Sequence, residues 1–173
     1  IPAAERFNLV PSLDRWVIEK VLRDYVPSTR NGVEEGGFTV AINLSGTTLS
    51  DPGFLEFLVD VLEAHEPTPG VLCFEVTETA AITNLGHASY LMREMASRGC
   101  LIALDDFGSG LSSFNYLRTL PVNYLKIDGN FVQNLASDPN HRSMLEAIVQ
   151  IGRAIGIETV AERVETPAVL ETL

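Results

Sequence analysis

The chain is poor in the residues that build soft-metal sites: it has two cysteines, Cys73 and Cys100, and three histidines, His65, His87 and His141, far apart. No zinc-ligand spacing exists among them, so a zinc site is excluded. Period-2 parity sets the two cysteines on opposite faces of predicted strands, and buried free thiols are expected rather than a disulfide. The histidines are expected at the surface. Positive charge is scarce too, with 12 Lys plus Arg against 23 Asp plus Glu, a net charge of −11, and no basic run. Nucleic acid duplexes and anionic membranes are therefore poor partners. No apolar stretch reaches the roughly 18 residues of a membrane span and no signal peptide is recognisable, which points to the cytoplasm. Low-complexity tracts, repeats and interdomain linkers are also lacking. Residues 1–173, 46% hydrophobic, read as one domain with enough apolar content for a core.

What is present is an alternation of two periodicities. Helical spacing predicts helices over 13–26, 51–65, 85–98, 113–120, 141–155 and 167–173. Short apolar runs predict strands over 38–44, 71–77, 101–105, 124–128 and 157–161, with a polar loop at 32–37. Strand and helix alternate about five times, and the strands are nearly continuously apolar. That pattern implies an α/β fold with a parallel sheet covered by helices.

The strand ends narrow the architecture. Alternate residues place Asn43, Glu75, Asp105, Lys126 and Glu162 on one shared face, each at the C-terminal end of its strand. One strand leaving for solvent at a polar residue is ordinary; five in succession argue for convergence. They converge only if the strands close around an axis, as in a TIM-like (β/α) barrel whose site lies at the C-terminal rim. A flat doubly wound sheet would spread them apart.

Asp105 and Asp106 adjoin at the end of an apolar strand, where two like charges resist desolvation unless a cation compensates them. A plainer alternative is a strand-to-helix turn with Asp106 or Ser109 as its N-cap. Gly108, Ser109 and Gly110 suit a flexible loop over a ligand, because glycine accepts positive φ. Asn43, Glu75, Asp105 and Asp106 are hard oxygen ligands suited to Mg²⁺ or Mn²⁺. Adjacent carboxylates let one bridge and the other bind a second ion, as two-metal centres with ions ~3.5–4 Å apart require. Glu162 is then available to take a proton from an attacking water, and Lys126 to orient that water or offset phosphorane charge. For Lys126, an ion pair with Asp128 or Asp105 is the other reading, and the two are compatible. A kinase-like fold, suggested by Asp106-Phe107-Gly108, fails for want of a Gly-rich nucleotide loop and a His-Arg-Asp loop.

Phe74-Glu75-Val76-Thr77-Glu78, Asp105 through Ser113, Leu125-Lys126-Ile127-Asp128 and Ala161-Glu162-Arg163-Val164-Glu165 resemble the EAL domain, the bacterial phosphodiesterase of cyclic di-GMP. Asn43-Leu44-Ser45 and the opening Ile1-Pro2-Ala3-Ala4-Glu5 fit as well. The resemblance spans essentially the whole chain. It implies a TIM-like barrel that binds two Mg²⁺ or Mn²⁺ ions and hydrolyses cyclic di-GMP to linear pGpG. By that likeness Asn43, Glu75 and Asp105 hold one ion, Asp105 and Asp106 the other, and Glu162 and Lys126 serve the attacking water. Glu78 is implied to anchor the glycine loop, with Glu165 on the same rim. The likeness also implies a homodimer and fusion to sensor or diguanylate cyclase domains.

Three departures set further expectations. The family's name-giving Glu-Ala-Leu strand, whose glutamate is a metal ligand, would lie before Ile1, and a last strand would follow Leu173. The domain is therefore expected to be truncated at both ends, an incomplete barrel with open edges and little activity alone. Arg163 stands where the family usually has glycine, and Leu111 where an aromatic is common. Arg163 can pair with Glu162, lowering its basicity, or contact substrate phosphate. The alternative to an enzyme is thus a catalytically inactive cyclic di-GMP receptor.

Overall fold

A computed structural model describes residues 1–25, 38–108, 114–133, 135 and 138–173. The predicted loop at 32–37, together with Ser109, Gly110 and Leu111, lies outside the described residues. Five parallel strands make one sheet in the order β1-β2-β3-β4-β5: Val40–Leu44, Leu72–Thr77, Leu101–Phe107, Tyr124–Ile127 and Glu158–Ala161. Each strand pairs with the next in sequence, so the winding never reverses. This is the order of barrel staves, and it removes the doubly wound alternative, whose strand order reverses at a switch point. The fold is an incomplete TIM-like barrel.

Helices follow the strands on one face. They are α1 (Pro2–Arg6), α2 (Val10–Asp24), α3 (Gly46–Leu49), α4 (Phe54–His65), α5 (Glu78–Thr83), α6 (Leu85–Ser97), α7 (Gly129–Gln133), α8 (Pro139–Ile155) and α9 (Pro167–Thr172), with a 3-10 helix at Phe114–Arg118. Against that face the strands set Ile42, Leu44, Leu72, Phe74, Val76, Ile102, Leu104, Leu125 and Ile127, all at most 3% exposed. Burying each side chain contributes about 1.5–3 kcal/mol before entropy is counted, so this layer is the main source of stability.

Several sequence expectations need correction at their ends. The first strand begins at Val40 rather than 38, where its ladder with Leu72 starts; just before it the Thr39 hydroxyl donates to the Gly70 carbonyl at 2.9 Å. The helix expected from 141 begins at Pro139, where Asp138 accepts a hydrogen bond from Asn140 N–H as N-cap. The segment expected as a helix over 113–120 is one 3-10 stretch. The histidines are half-buried rather than at the surface: His65 Nδ1 lies 2.9 Å from the Val61 carbonyl, and the His141 ring packs tilted against Phe131, their centroids 5.3 Å apart. Both cysteines are buried and free.

The largest correction is at β3, which continues through Asp106 to Phe107 instead of ending at Asp105. Its pairing with β4 runs Leu104↔Leu125 and then Phe107↔Ile127, three residues against two. One extra residue is therefore accommodated as a β-bulge, with Asp106 at φ 53°. Asp106 is consequently not a helix N-cap, and Ser109, the other candidate, is outside the described residues.

Candidate functional site

Parallel pairing keeps partnered residues on one face, so register decides which side chains meet. Asn43 pairs with Glu75, Glu75 with Ala103, Ala103 with Tyr124 and Lys126 with Val160. Two residues further along β3 stands Asp105, and two beyond Val160 stands Glu162. The face opposite the helices thus carries Asn43, Glu75, Asp105, Lys126 and Glu162 at its C-terminal end. Regular alternation would turn Asp106 away. The bulge prevents this, because Leu104 and Phe107 both pack outward and leave Asp105 and Asp106 between them on the inner side.

Lys126 stands at the centre. Its ammonium donates to Glu162 Oε1 at 2.8 Å, Glu75 Oε2 at 2.9 Å and Asp105 Oδ1 at 3.1 Å. Burial alone would pull the ammonium's pKa down, but the bonds to Glu162, Glu75 and Asp105 outweigh it and hold the group above the ordinary lysine value. Of the two ion pairs expected for Lys126, that with Asp105 forms; among the described residues none joins it to Asp128, whose Oδ1 instead accepts from Asn130 N–H at 2.7 Å. Carboxylate oxygens of Asp105, Asp106 and Glu162 lie within 4.8 Å of one another. Partial burial and the charges of Asp105, Asp128 and Glu162 raise the Asp106 pKa against the opposing pull of Lys126. Four carboxylates around one ammonium leave an excess of negative charge that an added cation would relieve.

Glu78 opens α5 and is 4% exposed. Its carboxylate accepts from Gly108 N–H at 3.1 Å and from the Tyr116 hydroxyl at 2.5 Å, so it touches the chain on both sides of residues 109–113. Burial and the Glu78 carboxylate raise the Tyr116 pKa, and the phenol stays a donor. Gly108 has φ 95°, and a Cβ there would meet the Phe131 ring at 3.3 Å, so both conformation and space call for glycine. Glu165 is exposed on the segment between β5 and α9. Arg163 is exposed at φ 51°, and its aliphatic stem covers Gly129, where a Cβ would fall 2.4 Å from Arg163 Cδ. Among the described residues no ion pair joins Arg163 to Glu162.

Sequence reasoning missed two residues near this site. Tyr116 gave no signal beyond its aromatic character. Asp14 did give one: it occupies the buried stripe Asp14, Ile18, Leu22 of α2, at i, i+4 and i+8. Beside the end of β1 lies a cavity of about 460 Å³, lined by Glu5, Asn8, Val10, Ser45 and Thr47 among others.

Comparison with known proteins bears on this geometry. The EAL domain model matches residues 1–173. Cyclic di-GMP phosphodiesterase PdeB of Shewanella oneidensis is 40% identical over 173 residues, which are 100% of this chain and 20% of that protein. Bifunctional diguanylate cyclase/cyclic di-GMP phosphodiesterase MucR of Pseudomonas aeruginosa is 33% identical, again over 100% of this chain and 25% of its own length. The chain therefore spans between a fifth and a quarter of these curated relatives. A solved structure of the PaMucR phosphodiesterase in complex with c-di-GMP superposes with a TM-score of 0.90 at 33% identity, covering 99% of this chain and 69% of that one.

Proposed function

This chain belongs to the EAL domain family, and from that premise we propose that it hydrolyses one phosphodiester of cyclic di-GMP to linear pGpG in bacterial signalling, using two Mg²⁺ or Mn²⁺ ions. The observation that carries the reading is the convergence of Glu75, Asp105 and Glu162, from three separate stretches of chain, on one ammonium within 2.8–3.1 Å, with Asp106 beside them. The donor set fits hard divalent ions: it is all oxygen, it is in excess over the charge that Lys126 neutralises, and the carboxylates of Asp105, Asp106 and Glu162 lie within ligand reach of one another. Asn43, Glu75 and Asp105 would hold one ion, and Asp105 with Asp106 the other. Bound there, such ions supply Lewis acidity to phosphoryl oxygens and make water a stronger nucleophile.

The chain's own residues do the rest. Glu162 takes the proton as water attacks phosphorus and the bond to the leaving ribose oxygen breaks. Lys126, held charged by its three carboxylates, orients that water and offsets charge on the phosphoryl oxygens. Glu78 restrains the chain at Gly108 and Tyr116 as the anchor of the glycine loop, and Glu165 belongs to the same rim. The same reading carries a homodimer and a cytoplasmic location. Among the described residues no helix is long and apolar enough to cross a membrane.

Incubation of the full-length protein with cyclic di-GMP and Mg²⁺ or Mn²⁺ tests the proposal. Accumulation of pGpG that stops on chelation is the expected result. Tight binding of cyclic di-GMP with no pGpG would overturn it and assign a receptor.

A further inference from the structure

We infer that Asp14 is a positioning residue for the ion-binding end of β1: its carboxylate clamps the turn at Ser45–Thr48 and so aims Asn43 toward Glu75 and Asp105. The inference rests on the ion-binding role of Asn43 proposed above.

Asp14 lies in the buried stripe of an outer helix, where a carboxylate is costly unless donors satisfy it. Among the described residues three hydrogen bonds reach its carboxylate, all on Oδ2: from Ser45 N–H at 3.0 Å, Ser45 Oγ at 2.8 Å and Thr48 Oγ1 at 2.5 Å. Among the described residues no cation pairs with it. The charge is balanced by donors from a single turn, and that turn begins two residues after Asn43. Ser45 is also the N-cap of α3, accepting from Thr48 N–H at 3.1 Å. From the opposite side, Ala80 of α5 closes on the turn, since a Cβ at Gly46 would meet Ala80 Cβ at 3.2 Å. The turn is gripped between α2 and α5, and Asp14 is the polar half of the grip. Asn43 itself is exposed, so the aim of its amide depends on where the backbone at Leu44 and Ser45 is held. The same turn supplies Ser45, Gly46 and Thr47 to the wall of the 460 Å³ cavity.

A second tether on the same helix serves as an internal control. Arg15 donates to Asp51 at 2.7 Å and stacks over Phe57, joining α2 to the segment before α4 and well past Asn43 in the chain. A merely structural role for Asp14 predicts that breaking either tether has the same consequences. A positioning role predicts a split.

Mn²⁺ titration of the full-length protein, followed by calorimetry and electron paramagnetic resonance, reads the difference. Asp14→Asn and Asp14→Ala are expected to weaken one of the two Mn²⁺ sites by about tenfold, the usual cost of removing a residue that orients a ligand. They should also lower kcat more than they raise KM. Asp51→Asn should lower the melting temperature without changing Mn²⁺ affinity. Adding Ser45→Ala and Thr48→Val to Asp14→Ala should bring little further loss, because the three act as one unit. Wild-type Mn²⁺ affinity in folded Asp14→Asn, or an equal loss in Asp51→Asn, overturns the inference. Where Asp14→Ala does not fold, the isosteric Asp14→Asn decides. Failure of the parent reading looks different, since the wild-type protein itself would then bind no Mn²⁺.

Discussion

The two faces of the sheet are built from alternate residues of the same five strands, and they differ in what holds each side chain. Toward the helices, Ile42, Phe74, Val76, Ile102, Leu104 and Leu125 are buried among apolar neighbours, and volume decides what fits. On the other face, Asn43, Glu75, Asp105, Lys126 and Glu162 are ordered by charge and by hydrogen-bond direction. Burial of the first set is favourable with no partner specified. The second set repels itself apart from Lys126 and depends on the first to keep it assembled. One layer supplies stability, and the other draws on it to hold carboxylates closer than they would stay in solution.

Predictions follow from breaking one layer at a time. Phe74→Ala, on the helix side, should cost about 3–5 kcal/mol in urea unfolding, while the fraction that remains folded keeps its Mn²⁺ affinity. A loss of Mn²⁺ binding in that folded fraction would mean that the faces are less independent than argued. Asp105→Asn, on the other side, should reduce Mn²⁺ binding and turnover together by ~100-fold or more, beyond the 10–100-fold typical of outer-sphere changes. Its melting temperature should hold or rise, since repulsion with Asp106 is relieved. Survival of both functions would remove Asp105 from the site.

Lys126→Met separates the faces further. Without the ammonium, Glu75, Asp105 and Glu162 lose their shared donor, and the metal-free protein should be about 1–3 kcal/mol less stable. Added Mg²⁺ should then raise the melting temperature more in the variant than in the wild type. The pH dependence has a definite sign. Because the folded protein holds the Lys126 pKa above 10.5, its contribution to stability is complete below 10.5 and is lost as pH rises through the higher folded value. An alkaline melt of metal-free wild type should therefore show this loss only above pH 10.5, and Lys126→Met should lack it. The smallest effect concerns the thiols. Burial pushes Cys73 up to about 11 and Cys100 up to about 12, so thiolate is scarce near neutrality. A disulfide reagent at pH ~8 should label neither in the folded protein and both after denaturation.

Most of the helix-side layer was legible in the sequence, because long periodic segments such as 85–98 and 141–155 carry their pattern over several turns. The polar layer was legible by parity in every strand, and within β3 as far as Asp105. Beyond that residue simple alternation failed, since a bulge breaks the count; the available clue was that Ile102, Leu104 and Phe107 are all apolar, a spacing that two-residue alternation cannot place on one face. The short helices α3, α5 and α7 span four to six residues, too few for a periodicity to register. Ser45 and Thr77 nevertheless mark two of them as N-caps, through bonds to the N–H groups of Thr48 and Ala80. Asp14 was missed because an acidic residue in an amphipathic helix is ordinarily assigned to the solvent side, and only its fourfold spacing with Ile18 and Leu22 says otherwise.

The extra residue in β3 sets a limit on how this stretch of chain can vary. A strand with uninterrupted pairing there would turn Asp106 away from the site and Phe107 out of the apolar layer; the bulge alone lets both acids face one side while Phe107 is seated. Shortening the chain by one residue between Leu104 and Phe107 would restore regular pairing and keep Phe107 in the apolar layer, but leave a single carboxylate facing the site. Length at this point is therefore as strictly constrained as residue identity.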